Sequence, residues 1–209
     1  MNPSIGTKIF LLALLSGQIC FAQKTAAPEI NIGEIRFAMI SPSVTDTGMQ
    51  TIYFKKGMGA FTMISPGDSS GFHSIFDFEK DSVFHILKGP TPARIIALKL
   101  SESLAQSKQE TQMKVKLTEK TKQILGYECT QFKANSVGNG RKMKLEGWVT
   151  NKIVTKVRPI MDESLMSIGF PLEMTLSIPS VSSKPTMIFQ AVSINPSADP
   201  AAFKIPATN

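Results

Sequence analysis

The chain has 209 residues and a formal net charge of +7. A surplus this mild and this dispersed does not point to nucleic acid. It suits lysines that solvate a sheet surface, or contact with anionic lipid headgroups and acidic polymers. Of the two cysteines, Cys20 lies in an N-terminal segment that reads as removable, which leaves Cys129 alone and excludes an internal disulfide.

Lys8, the apolar run 9–15 and Cys20-Phe21-Ala22 followed by Gln23 have the order of an export signal cut after Ala22. The run is too short to span a bilayer. A lipoprotein signal through Cys20 would want a small residue before the cysteine, where Ile19 stands. The expectation is a signal peptide at 1–22 and one domain at 23–209, exported to the periplasm or beyond. That mature chain has 209 − 22 = 187 residues and, without Lys8, a charge of +6. It is long enough for a proper core.

Residues 29–40 read as a first strand with apolar Ile30, Ile32, Ile35, Phe37 and Met39, its phase restored by a bulge at Gly33-Glu34. Residues 51–56 and 60–65 form a hairpin about Lys56-Gly57-Met58-Gly59. Residues 71–88 form another, for which a turn at Lys80-Asp81 sets Phe78 against Val83, Phe76 against His85 and Ser74 against Leu87. A strand at 93–100 follows. Residues 101–111 are polar, with only Leu104 and Ala105 as anchors, and read as a loop or one helical turn. Alternation resumes at 112–122, where Met113, Val115 and Leu117 oppose Lys114, Lys116, Lys120 and Lys122. That lysine row reads as a solvated or edge-protecting strand face, or as a contact for anionic headgroups.

The clearest architecture is at 124–150. Asn139-Gly140 is a strong tight-turn signal. Folding about it pairs Arg141 with Gly138, Met143 with Ser136, Leu145 with Ala134, Gly147 with Phe132 and Val149 with Thr130. The other side pairs Lys144 with Asn135, Glu146 with Lys133 and Trp148 with Gln131. The Lys133–Glu146 pair supports this register independently. Tyr127, Cys129 and Trp148 fall on the polar side, so a cover is expected there, and a short helix at 161–168 is the first candidate. Strands at 170–178 and 185–194 and a docked end at Phe203-Lys204-Ile205-Pro206 complete the chain.

No constellation of reactive groups emerges. Gly67-Asp68-Ser69-Ser70-Gly71 matches a nucleophile-elbow spacing, but it joins two strands instead of a strand and a helix. His73 and His85 fall on opposite sides of one hairpin, which defeats both a triad and a metal site. Cys129 between Glu128 and Thr130 reads as a small buried packer. No phosphate-cradling glycine loop or dinucleotide fingerprint occurs, so no cofactor and no enzymatic activity are expected. What stands out is methionine: Met39, Met63, Met113, Met143, Met174 and Met187 all fall on strand positions. Flexible thioethers suit both irregular core gaps and surfaces that accept varied apolar partners.

At 121–150 the words Thr121-Lys122-Gln123-Ile124-Leu125-Gly126-Tyr127-Glu128-Cys129 and Gly147-Trp148-Val149-Thr150 precede Gly169-Phe170-Pro171-Leu172 and the terminal Phe203-Lys204-Ile205-Pro206. In these the chain resembles a family of uncharacterised exported domains, chiefly of Bacteroidetes envelopes and related to the GLPGLI family, whose signature it lacks at 168–173. The resemblance implies the periplasmic lipoprotein-carrier fold, an unclosed curved sheet whose concave side holds acyl chains. It supplies no catalytic residue.

The expected fold is mainly β: a single curved antiparallel sheet, or unclosed half-barrel, of about ten strands with one or two short helices. The expected function is binding of a lipid, acyl chain, lipidated protein or other apolar ligand on the concave face, lined by Phe72, Phe76, Phe132, Met143, Leu145 and Met174. The alternative is an envelope interaction module with a self-filled core.

Overall fold

The computed structural model describes residues 27–41, 47–64, 71–88, 94–138, 141–159, 163–179 and 187–205. Six strands come first: β1 (Gly33–Ile40), β2 (Thr47–Lys55), β3 (Met58–Ile64), β4 (Gly71–Asp77), β5 (Ser82–Lys88) and β6 (Arg94–Lys99). Helix α1 (Leu100–Glu110) leads to β7 (Thr111–Ile124), β8 (Tyr127–Gly138) and β9 (Arg141–Thr150). Helix α2 (Glu163–Met166), β10 (Phe170–Ser177), β11 (Met187–Asn195) and a 3-10 turn at Pro200–Phe203 follow. All eleven strands form one antiparallel sheet in the order β6-β5-β4-β3-β2-β1-β11-β10-β9-β8-β7, not closed into a barrel. Two up-and-down meanders, β1–β6 and β7–β11, are therefore fused where β1 pairs with β11.

The connection between the edges shows how far this sheet is rolled. Laid flat, eleven strands would hold their edges ~48 Å apart, ten spacings of ~4.8 Å. Yet β6 and β7, the two edges, are joined by one 11-residue helix, which reaches only ~16 Å. The sheet must curl most of the way round, and α1, packed against β5, β6 and β7, lies across the remaining gap. Residues 101–111 read as a loop or one helical turn, and the helix is longer than that, at 11 residues. Glu, Leu, Ala, Gln and Lys are good helix formers, and Leu100 and Leu104 turn toward the core.

Inside the curl, alternate residues of nearly every strand pack into one apolar cluster that includes Ile35, Phe37, Ile52, Phe54, Phe76, Phe132, Leu145, Met174 and Phe189. One end of this interior is plugged. After β9 the chain runs inward as a strap: Ile153 bridges Ile30, Val157 is fully buried, and Arg158 stands 5.1 Å over the Phe170 ring. Gly59 is required here because a Cβ would collide with the Val157 side chain. Gly147 is required because a Cβ would run into the Glu173 carbonyl of β10.

The β8–β9 register is the expected one at every pair, Lys133 opposite Glu146 included; the Asn139-Gly140 turn itself lies outside the described residues. The β4–β5 register differs by two. Phe76 pairs with Val83, Ser74 with His85 and Phe72 with Leu87. The turn is longer than two residues because the Asp77 carboxylate accepts the Glu79 and Lys80 amides, and Asp81 takes positive φ. A shift of two leaves every side chain on its expected face. The irregularity expected at Gly33-Glu34 instead lies where β1 meets β11, between Arg36 and Phe37. The helix expected at 161–168 is the single turn of α2, resting on β7, with Leu165 in the same cluster as Tyr127 and Cys129.

Candidate functional site

The inner face is graded in depth. At the strap end and midway, Phe37, Ile52, Phe54, Phe132, Phe170, Leu172 and Met174 have no exposed surface. Toward the opposite end, where β7, β9 and β11 begin and β1 and β3 finish, the same face is only half-buried. Met39, Met63, Met113, Met143 and Met187 stand there, one from each of five strands, joined by Phe61, Phe72 and Leu176. The register ties them into rows. Met63 is opposite Phe72, Met143 and Met113 flank Ser136, and Leu176 is opposite Met187. Phe61 packs 5.5 Å from Phe72 and 5.8 Å from Phe76, which links the rim to the deep core.

All six residues expected to line the concave side lie on this face. Phe76, Phe132, Leu145 and Met174 are buried in the core, whereas Phe72 and Met143 belong to the half-buried rim. Period-two alternation identifies a face but not a depth along the strand. Residues 67–70, including Ser69, lie outside the described residues.

Polar groups on the inner face are few. Ser74, wholly buried, shares a 2.7 Å hydrogen bond with Nδ1 of His85, and Phe72 stacks on that imidazole at 5.4 Å. Burial pulls the His85 pKa below its ordinary value by disfavouring the cation. Gln50 is buried on the same face, and its Oε1 has no hydrogen-bond partner among the described residues. His73 is on the outer face, its Nε2 3.0 Å from the Ala202 carbonyl, so the two histidines do diverge. The Cys129 thiol is buried, 3.5 Å from the Tyr127 carbonyl, and burial pushes its pKa up to about 11, far from the thiolate that chemistry would use. The Ser74–His85 contact was missed because a two-residue turn would have set Ser74 against Leu87.

The strap carries its own charge. Arg158 donates to the carbonyls of Thr155 and Val157, and burial lowers its pKa to about 10. Outside the strap, against the β2–β3 turn, lies a cleft of about 900 Å³ lined in part by Ile32, Met58, Phe78, Val154 and Lys156. Among the described residues no three His, Cys, Asp or Glu side chains gather as a metal site, and no helix is long and apolar enough to cross a membrane.

No protein-family model and no curated protein matches the chain. Among solved structures it is similar to PNGF-II in its C2 crystal form, at 15% identity and a TM-score of 0.47. The likeness covers 85% of this chain and 28% of that one. It assigns neither activity nor ligand.

Proposed function

We propose that this protein is a non-enzymatic binding protein of the cell envelope that holds a lipid, acyl chain or other apolar ligand at the methionine end of the rolled sheet. The observation that carries this reading is the placement of five half-buried methionines, one on each of five strands, at one end of one face. Thioether side chains reshape at little cost, so such a rim accommodates apolar chains of varied length. A binding role is favoured over catalysis because the Ser74–His85 pair has a nucleophile with no exposed surface, and the Cys129 thiol is held protonated. The export-signal order ending at Ala22 supports the envelope.

The test is native mass spectrometry of protein purified without detergent from its own source, followed by organic extraction. The expected result is a co-purifying acyl species, with Met63→Glu and Met143→Glu displacing it. A bare protein that also fails to bind a fluorescent fatty-acid probe would overturn the reading.

A second reading is an interaction module whose interior is filled by its own core. The complete burial of Phe132 and Met174 favours it, and the cleft of about 900 Å³ beside the strap supplies a docking place.

A further inference from the structure

The outer face of β7–β9 carries an unusual concentration of one charge. Lys114 and Lys116 on β7, Lys133 on β8, and Lys142 and Lys144 on β9 are all exposed. By register, Lys116 stands directly opposite Lys133, a like-charge cross-strand pair that works against the sheet. Lys114 and Lys144 flank Asn135 from either side. Glu146, opposite Lys133, is the one carboxylate among these rows. None of the five lysines takes part in an ion pair among the described residues, whereas Lys122, higher on the same face, is paired with Glu173 at 2.8 Å. A shallow cleft of about 330 Å³ opens between Lys133, Lys144, Asn135 and Thr175.

Edge protection accounts for Lys114 and Lys116 on β7 at most. Lysine on a bare edge blunts strand addition, but β8 and β9 are interior strands, flanked on both sides. The other edge, β6, carries Ile95 and Ala97 on its outer side, with a single lysine, Lys99, which pairs with Glu102. Five lysines against one glutamate on a pleated surface create a positive field that an anionic partner would relieve. The patch also occupies the half of β7–β9 nearest the methionine rim: Lys114 neighbours Met113, and Lys142 and Lys144 flank Met143.

We propose that this lysine face docks the protein on an anionic phospholipid membrane, with the methionine end of the sheet turned toward the bilayer. A membrane fits better than an acidic polymer because the charged face and the apolar rim meet at one end of the molecule. Headgroup attraction then presents the rim to the acyl region. Docking requires only the outer face and holds whether or not the interior carries a ligand.

The experiment is flotation of the full folded chain with vesicles of phosphatidylglycerol and phosphatidylethanolamine, or of phosphatidylcholine alone, at ~0.1 M salt, where charges reach ~10 Å. Wild type is expected to float with the anionic vesicles only and to be released near 1 M salt. The triple variant Lys116→Gln, Lys133→Gln, Lys144→Gln is expected to bind roughly a hundredfold more weakly, while Lys80→Gln with Lys204→Gln leaves binding unchanged. An unaltered thermal melt for both variants shows that folding is not the cause. Failure of wild type to float with anionic vesicles, equal binding by the triple variant, or binding to a soluble acidic polysaccharide but not to vesicles would each overturn the proposal. Bound lipid is read separately by extraction, so the interior-ligand reading fails or stands on its own.

Discussion

In the β1–β6 meander the outer face carries Ala60, Ile75 and Ile86 beside Tyr53, Met58, Phe84 and Ile95, and Phe203 folds back over them from the 3-10 turn. In the β7–β11 meander the corresponding surface carries exposed lysines over its rim half, and only its base, at Tyr127 and Cys129, is buried. Both halves turn the same kind of apolar row inward, so alternation along the strands is equally clear in each. The difference lies in what covers the outside. The first half is a sheet between two apolar layers; the second has a small cover at its base, where Leu165 joins Tyr127 and Cys129, and water over its lysine-bearing half. A strand rich in apolar residues on both faces, such as β4 or β5, signals a second cover, and here the cover comes from the far end of the sequence. Lys55, with its amine 4.6 Å over the Phe203 ring, closes that patch at its margin.

This contrast can be broken or sharpened by mutation. Phe132→Ala empties a fully buried site of the shared interior and is expected to cost ~3–5 kcal/mol, read as a lowered urea midpoint. Gly59→Ala drives a methyl into Val157 where the strap from the second meander presses on the first. It is expected to cost ~2–3 kcal/mol, and adding Val157→Ala should return part of that loss in a double-mutant cycle. Simple additivity would mean that the strap does not bear on β3. Phe203→Ala should cost less than Phe132→Ala, ~2 kcal/mol, because its ring keeps some contact with water; an equal cost would make the outer patch as much a core as the inner one.

Smaller effects follow from charge. The His85 imidazole has its pKa lowered from 6.5 by burial, so the fold favours the neutral ring. That contribution is complete above about pH 6.5 and is lost as the pH falls below it, because the unfolded chain then takes up the proton first. Urea midpoints measured from pH 7 downward should decline, with a shallower slope in His85→Gln. Smallest of all, Lys116→Gln removes the like-charge contact with Lys133 and should stabilise by no more than ~0.5 kcal/mol. A clear loss would mean that Lys116 has a favourable partner.

The hairpin of β8 and β9 was legible because two independent local signals, the Asn139-Gly140 turn and the Lys133–Glu146 pair, agreed on one register. The register of β4 and β5 was misplaced because Asp77 holds the turn through its side chain, a cue that hydrophobic alternation does not carry. Helix α1 was hidden by its polarity: its role is to bridge two sheet edges, a demand visible only once the strand order is known. The rim was legible as a set of strand methionines. Phe132 and Met174 are sealed while Met143 and Phe72 are half-open, a difference in depth along the strand that alternation does not carry. Gln50 went unremarked for the same reason, since a lone amide on a strand announces itself only when its burial is known.

The pairing of β1 with β11 leaves the earliest and the latest strands side by side in the middle of the sheet, with Glu34 against Asn195 and Ile40 against Ile188. Trimming a protein usually shaves an outer element and spares the rest. Here loss of the segment from Met187 onward would divide the sheet down its centre, baring β1 and β10 as two raw borders able to recruit strands from other molecules. Deleting β11 is therefore expected to convert the protein into an aggregating species instead of a slightly shorter one.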